Sequence, residues 1–354
     1  MFWRPSITIS NRILVWIIAA EGVALLIAVS LFLLYGLYRD WLEVHHKRLV
    51  AKVRRLLVRS LESSAKIPAS SALLCLPSRL QVRVLLDIAT PLSYAERQRL
   101  LAWAQAMGVV FRAEGMLRSR FWWRRLHAAR LFTVLGATSV TLESCFCDPR
   151  ADIRAQACEW AATNPSPAVV RQLMGLLGDA AGLCRFTVQD SLVRIGSRAA
   201  EPLESLIRSA SGTKLEAALQ VAAAIADSRF LSAGLLRSQD SSSQVRALAA
   251  KLLGNIGGSQ AVSSLRASLA DPHYKVRAAA ATSLGRLQYW PAAVQVGMLL
   301  QDSSWEVRKA AGSALKEMGP PGLVTLRCFL SGSDRFASDM ARHILEAAEL
   351  EAKC

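Results

Sequence analysis

The sequence has no phosphate-cradling glycine-rich loop, no G-x-S-x-G and no H-E-x-x-H. Nucleotide-binding, serine-hydrolase and zinc-protease chemistry therefore have no local signature. Its seven cysteines, Cys75, Cys145, Cys147, Cys158, Cys184, Cys328 and Cys354, form no C-x-x-C pair and no regular disulfide spacing. They read as reduced thiols of a cytosolic compartment, several packed as small hydrophobes. Cys145-Phe146-Cys147 is a bare C-x-C without a His or Cys at ligand spacing, so no zinc site is expected. No catalytic, cofactor or metal residue is assigned. Aromatics make up only 7% of the chain, while Ala and Leu dominate. That favours helices packed through small, unbranched side chains over strands. Acids are scarce as well: 27 against 43 Lys and Arg, a net charge of +16. Such a balance suits an anionic partner, whether lipid headgroups, nucleic acid or an acidic protein.

Much of the apolar content sits in one run, Ile13 to Tyr38, whose only charged residue is Glu21. As a helix it spans roughly 39 Å, more than a ~30 Å hydrocarbon core requires. The run is too long for a cleaved signal peptide, and Tyr35-Gly36-Leu37-Tyr38 is no small-x-small site. Residues 13–38 are therefore expected to form a transmembrane helix after a short tail, 1–12. Arg39, Lys47, Arg48, Lys52, Arg54, Arg55 and Arg59 follow the span, against Arg4 and Arg12 before it. The positive-inside rule places the C-terminal bulk in the cytoplasm and the N-terminus outside a cell (inner) membrane, crossed once. Glu21 has two readings: a functional intramembrane carboxylate, or a side chain one turn from the outer interface that snorkels.

Residues 39–79 read as a basic juxtamembrane helix and linker. Val50, Val53, Leu57 and Leu61 recur at helical spacing among Lys47, Arg48, Lys52, Arg54, Arg55 and Arg59. This segment is either an extension of the membrane helix or an amphipathic helix on the bilayer; it also serves as a topology signal. Residues 13–61 are thus the expected lipid-contacting part, each Lys or Arg near an anionic leaflet being worth about 1 kcal/mol. His45-His46 has no further ligands nearby. Glu62 to Ser71 loses the periodicity and reads as a linker. Residues 80–118 should form an N-terminal helical hairpin region: one helix from Leu80 to Ala89, and another opened by the Ser93-to-Glu96 capping box and running to Gly108.

Beyond it the chain repeats itself. Asp148, Asp179, Asp240, Asp271 and Asp302 lie 31, 61, 31 and 31 residues apart, and each is followed six residues later by an arginine. The arginines are Arg154, Arg185, Arg246, Arg277 and Arg308. The double step hides a degenerate unit near Ser209, with Leu215 in the arginine slot. Ala157, Val188, Ala249, Ala280 and Ala311 keep step behind the arginines, as do Ala161, Leu192, Leu253, Leu284 and Leu315. Gly196, Gly257 and Gly319 fall where a helix C′ glycine belongs. An earlier copy starts at Arg125. Each unit has room for two short helices, with the Asp capping the second and the Arg within reach of acids in its own or adjacent units. One pair cannot bury its apolar face alone, so the pairs must stack.

The Asp-x5-Arg spacing, the apolar residue before the arginine (Ile153, Val245, Val276, Val307) and the trailing Ala and Leu resemble the HEAT repeat family, including its PBS-lyase-like bacterial branch. The resemblance implies an all-α fold: an α-solenoid of HEAT-like helical hairpins over 119–332, besides the N-terminal transmembrane helix. Residues 333–354 lack the pattern and read as a polar capping helix. The Asp/Arg ladder is expected to be structural.

Leu117 to Phe132 holds five arginines around Phe121, Trp122 and Trp123 without an acid. Arg120, Phe121, Trp122, Trp123 and Arg124 either seal the open end of the solenoid or present a surface to a partner or membrane. The resulting expectation is a non-enzymatic, membrane-tethered scaffold for a protein partner, resembling accessory factors for an envelope or membrane enzyme. Two alternatives follow from the resemblance: a PBS-lyase-like enzyme or chromophore-protein chaperone, and a nucleic-acid-binding protein. The densest positive charge lies beside the apolar span, where lipid accounts for it more simply than nucleic acid.

Overall fold

The computed structural model describes residues 11–62, 85 and 93–353. The tail before Asn11, the 63–71 part of the linker, the 80–89 helix except Leu85, and the side chains of Arg54 and Arg59 lie outside the described residues. Two compact units result, Met1–Met107 and Gly108–Cys354.

In the first unit, α1 (Asn11–Glu62) is one helix of 52 residues. At 1.5 Å per residue it is about 78 Å long. Its Ala20–Lys52 segment is long and apolar enough to cross a bilayer, and its apolar window buries nothing inside the protein. The basic segment continues this helix without a break, so the separate surface helix is not what the chain forms. No Gly or Pro interrupts residues 39–62, and a Glu43–Lys47 pair at 2.7 Å supports them one turn apart. Lys47, Arg48, Lys52 and Arg55 are exposed. Helix α2 (Tyr94–Ala106) opens on the capping box: Ser93 accepts from the Glu96 amide, and the Glu96 carboxylate accepts from the Ser93 amide at 2.9 Å.

The second unit is a stack of helical hairpins. They run α3 (Val109–Leu117) with α4 (Trp122–Leu135), α5 (Val140–Glu143) with α6 (Ala151–Thr163), and α7 (Pro167–Leu176) with α8 (Gly182–Ile195). Next come α9 (Ala200–Ser209) with α10 (Gly212–Ile225), and α11 (Leu231–Arg237) with α12 (Ser243–Ile256). The series ends on α13 (Ser259–Ser268) with α14 (Tyr274–Arg286), α15 (Ala293–Met298) with α16 (Trp305–Glu317), and α17 (Pro320–Phe329) with α18 (Arg335–Lys353). Strands are absent among the described residues.

The repeat slots explain the stack. Ala157, Val188, Ala249, Ala280 and Ala311 are fully buried, as are Ala161, Leu192, Leu253, Leu284 and Leu315. Each buried Leu contributes about 1.5–3 kcal/mol. Second helices touch almost backbone to backbone. A Cβ on Gly285 would lie 2.5 Å from the Ala314 Cα, and one on Gly254 would lie 2.3 Å from the Ser283 Cβ. Gly136, Gly196, Gly257 and Gly319 all take positive φ at the ends of second helices.

Two boundaries move. The first repeat begins at Val109, not residue 119, because α3 pairs with α4 as its first helix. At the other end, α18 does more than cap. It takes the second-helix position of an eighth hairpin, starting 30 residues after α16 instead of 31. Shifted by one, its sequence keeps the buried slots, with Ala337 and Ala341 inside and Leu345 half-buried, and loses the Asp and the Arg.

Candidate functional site

The aspartates sit three residues ahead of the second helices rather than at their caps. Their Oδ1 atoms accept from the backbone amides two residues on: Arg150 at 2.9 Å, Ala181 at 2.8 Å, Ser242 at 3.0 Å, His273 at 2.8 Å and Ser304 at 2.8 Å. This closes the turn that launches the helix. Each arginine then reaches forward to the next unit. Arg125 pairs with Asp148 at 2.7 Å, Arg154 with Asp179 at 2.8 Å, Arg246 with Asp271 at 2.8 Å, and Arg277 with Asp302 at 2.7 Å. In every pair Nε and Nη2 take the two carboxylate oxygens, while Nη1 donates to the carbonyls of the arginine's own turn. Arg154 holds the Asp179 carboxyl down at about 2, and the backbone amide of Ala181 adds to this. The ladder thus ties unit to unit, through pairs largely withdrawn from solvent.

Three ladder residues depart from the rule. Arg185 and Arg308 keep their carbonyl bonds, to Asp179 and to Asp302 with Ser303, but find no carboxylate among the described residues. The slots that would supply it hold Ser209 and Gly332. Asp240 has a leucine, Leu215, in the arginine slot of the unit before it and is served instead by Arg237 at 2.8 Å. Sequence reasoning missed Arg237, which lies outside the repeat pattern on a first helix.

The aromatic segment divides in two. The Phe121 and Trp123 rings meet at a 31° tilt with centroids 4.7 Å apart and are half-buried, so they pack rather than present. Trp122 is 38% exposed and carries the Arg150 guanidinium over its face at 4.3 Å. Arg120 and Arg124 lie over the Phe121 ring at 4.7 and 5.3 Å, with both side chains open to solvent. What remains available to a partner is Trp122 with Arg150 over it, and the exposed Arg120 and Arg124 near it in the chain. Arg125, in the same run, is taken by the ladder.

Of the thiols, Cys145 is buried and pushed up to about 11 by that burial, while Cys147 is exposed. Cys184 is fully buried in its apolar slot. Among the described residues, no three His, Cys, Asp or Glu side chains gather closely enough to hold a metal ion.

A second surface was not foreseen. Between α16 and α18 lies a groove of about 460 Å³ lined by Trp305, Arg308, Lys309, Phe336, Asp339 and His343. Trp305 is 56% and Phe336 66% exposed. Lys309 lies over the Trp305 ring at 5.2 Å and Arg308 over Phe336 at 5.1 Å. The signal was present in the sequence as an Arg308 with no acid in the next unit's slot.

Residues 229–316 match a family model described as HEAT repeats. No curated protein matches the chain. Among solved structures it is similar to a chain of the Kap95:Nup1 complex, at 16% identity and a TM-score of 0.50, over 80% of this chain and 49% of that one. It therefore spans about half the length of that relative. It is also similar to the complex of CpcE and CpcF of phycocyanin lyase from Nostoc sp. PCC7120, at 18% identity and a TM-score of 0.33, over 68% and 94% of the two chains. Human deoxyhypusine hydroxylase gives 18% identity and a TM-score of 0.29, over 70% and 99%. The last two overlaps are too loose to bear on activity, and the first speaks to fold alone. The fold and its ladder define an α-solenoid of helical hairpins. Its 229–316 part matches the HEAT-repeat family.

Proposed function

We propose that the protein is a non-enzymatic scaffold, anchored once in the cell (inner) membrane by α1, whose solenoid docks a protein client at the cytoplasmic face. A membrane-bound enzyme is the expected class of client. The observation that carries this reading is α1. Its apolar window finds no cover within the protein and continues without a break into a basic, exposed stretch. Apolar side chains left bare over that length need lipid. The charge asymmetry across the span favours a cytoplasmic solenoid. Trp122 with Arg150 over its face, and the exposed Arg120 and Arg124 close by in the chain, fits an interface anchor.

The test has two arms. Alkaline carbonate washing of membranes should leave the protein in the pellet; release into the wash would refute the anchor. A photo-crosslinker at Trp122 in intact membranes should capture one dominant protein, and Arg124→Glu should abolish the product. Capture that persists in Arg124→Glu would move the docking site elsewhere.

A further inference from the structure

We propose that the groove between α16 and α18 binds an acidic peptide segment. One carboxylate of that segment occupies Arg308, and a neighbouring large apolar side chain sits between Trp305 and Phe336. The proposal deepens the docking reading by naming the chemistry of a partner at a second site.

The ladder itself shows what Arg308 takes. In Arg246 and Arg277, Nε and Nη2 grip a carboxylate at 2.7–2.9 Å while Nη1 holds the turn. Arg308 keeps the second half of that arrangement, donating to the Asp302 and Ser303 carbonyls at 2.8 and 3.1 Å. The first half is open, because Gly332 stands where the next Asp would be. The guanidinium is thus already oriented by its own turn, and a carboxylate can dock on the open fork without further ordering.

The surroundings favour the same ligand. Lys309 and His343 line the groove, and Asp339, the acid on its wall, faces Arg335 at 3.7 Å. Trp305 and Phe336 expose apolar area that a partner's side chain can cover. A free carboxylate would use only the fork; a nucleic acid would meet one open guanidinium and little continuous positive track. An acidic segment with an apolar side chain uses both features.

The test uses the full chain in detergent micelles and fluorescence anisotropy of a labelled short peptide with a Glu-Phe-Glu centre. Counterparts carry Gln-Phe-Gln and Glu-Ala-Glu. The Glu-Phe-Glu peptide should bind about tenfold more tightly than either, as expected for one charge-assisted fork and one buried ring. Gly332→Asp supplies the missing carboxylate from within. Its Cβ meets only the Phe329 carbonyl, at 3.4 Å. This variant should raise Tm and weaken the peptide by about tenfold. Arg308→Gln should weaken it equally, and this residue decides the matter if Gly332→Asp leaves Tm unchanged. Equal binding of the Glu and Gln peptides overturns the proposal. So does an Arg308→Gln variant that binds as the parent does, or tighter binding of a single-stranded oligonucleotide. None of these outcomes touches the anchor or the Trp122 surface, which membrane washing and crosslinking read separately.

Discussion

The joints around Asp271 and Asp302 and the joint around Ser209 belong to one solenoid and are held differently. At the first two, Arg246 and Arg277 bridge each unit to the next through a two-pronged carboxylate pair. At the third, the Asp is a serine and the Arg a leucine, yet the helices keep their places. Leu215, Val221 and Ala222 are all buried, and Ala226 takes positive φ where other units use glycine. Arg237 repairs the rest. It reaches back to the Ile207, Arg208 and Ala210 carbonyls at 2.8, 2.9 and 3.0 Å and forward to Asp240. Apolar stacking therefore sets the solenoid, and the ladder secures each joint; where the ladder fails, another cation can take its place.

The sharpest way to break this comparison is Arg277→Ala. It removes both prongs and strands Asp302, a carboxylate whose side chain is only 7% exposed. Loss of one partner from such a pair destabilises by about 3–5 kcal/mol. Thermal unfolding followed by circular dichroism should show it as a clear drop in Tm. A drop no larger than that of a surface substitution would mean the ladder is ornamental. Arg237→Ala comes next, at about 2–3 kcal/mol, since it frees three carbonyls and Asp240 but leaves the repeat's own slots intact. If it matched Arg277→Ala, the repaired joint would depend on its cation as heavily as a regular one does.

Acid tests the same pairs through protonation. Arg154 holds Asp179 near 2, against 3.8 for a free side chain. A depressed carboxylate contributes stability that is complete above its unfolded pKa and is lost as pH falls through the folded one. The window is therefore about pH 4 to 2. Across it, the stability gap between the parent and Arg154→Gln should shrink in urea titrations. A gap that stayed constant down to pH 2 would mean that Asp179 and Arg154 are not coupled in solution.

Much of this was readable beforehand, for identifiable reasons. The period, the buried Ala and Leu slots and the glycine turns are local consequences of helix geometry, so they surface as spacing. That Arg and Asp pair across units was visible only as proximity, because the direction of reach depends on how hairpins stack. Arg237 was invisible: it lies on a first helix, where no slot repeats. The eighth hairpin was hidden by a one-residue shift, which moves Ala341 and Leu345 out of the 31-residue register. Composition left Trp123 open between sealing the solenoid's end and meeting a partner; its half-burial against the Phe121 ring makes it part of the packing. The groove of Trp305 and Phe336 joins residues from two repeats, and nothing in either alone announces it.

The smallest expected effect sharpens the comparison most. Arg185 resembles the regular arginines in sequence but holds only the Asp179 carbonyl, at 3.1 Å. Arg185→Ala should therefore destabilise by about 1 kcal/mol, the worth of a single hydrogen bond, and well below Arg277→Ala. Ser209→Asp runs the argument in reverse by returning the acid to its slot. It should raise Tm by a few degrees in the parent, and by nothing in an Arg185→Ala background. A double-mutant cycle on these two positions isolates the pair from its surroundings. A gain that survived without Arg185 would show that the new carboxylate acts through its own turn, and the forward reach of the ladder would not extend to this joint.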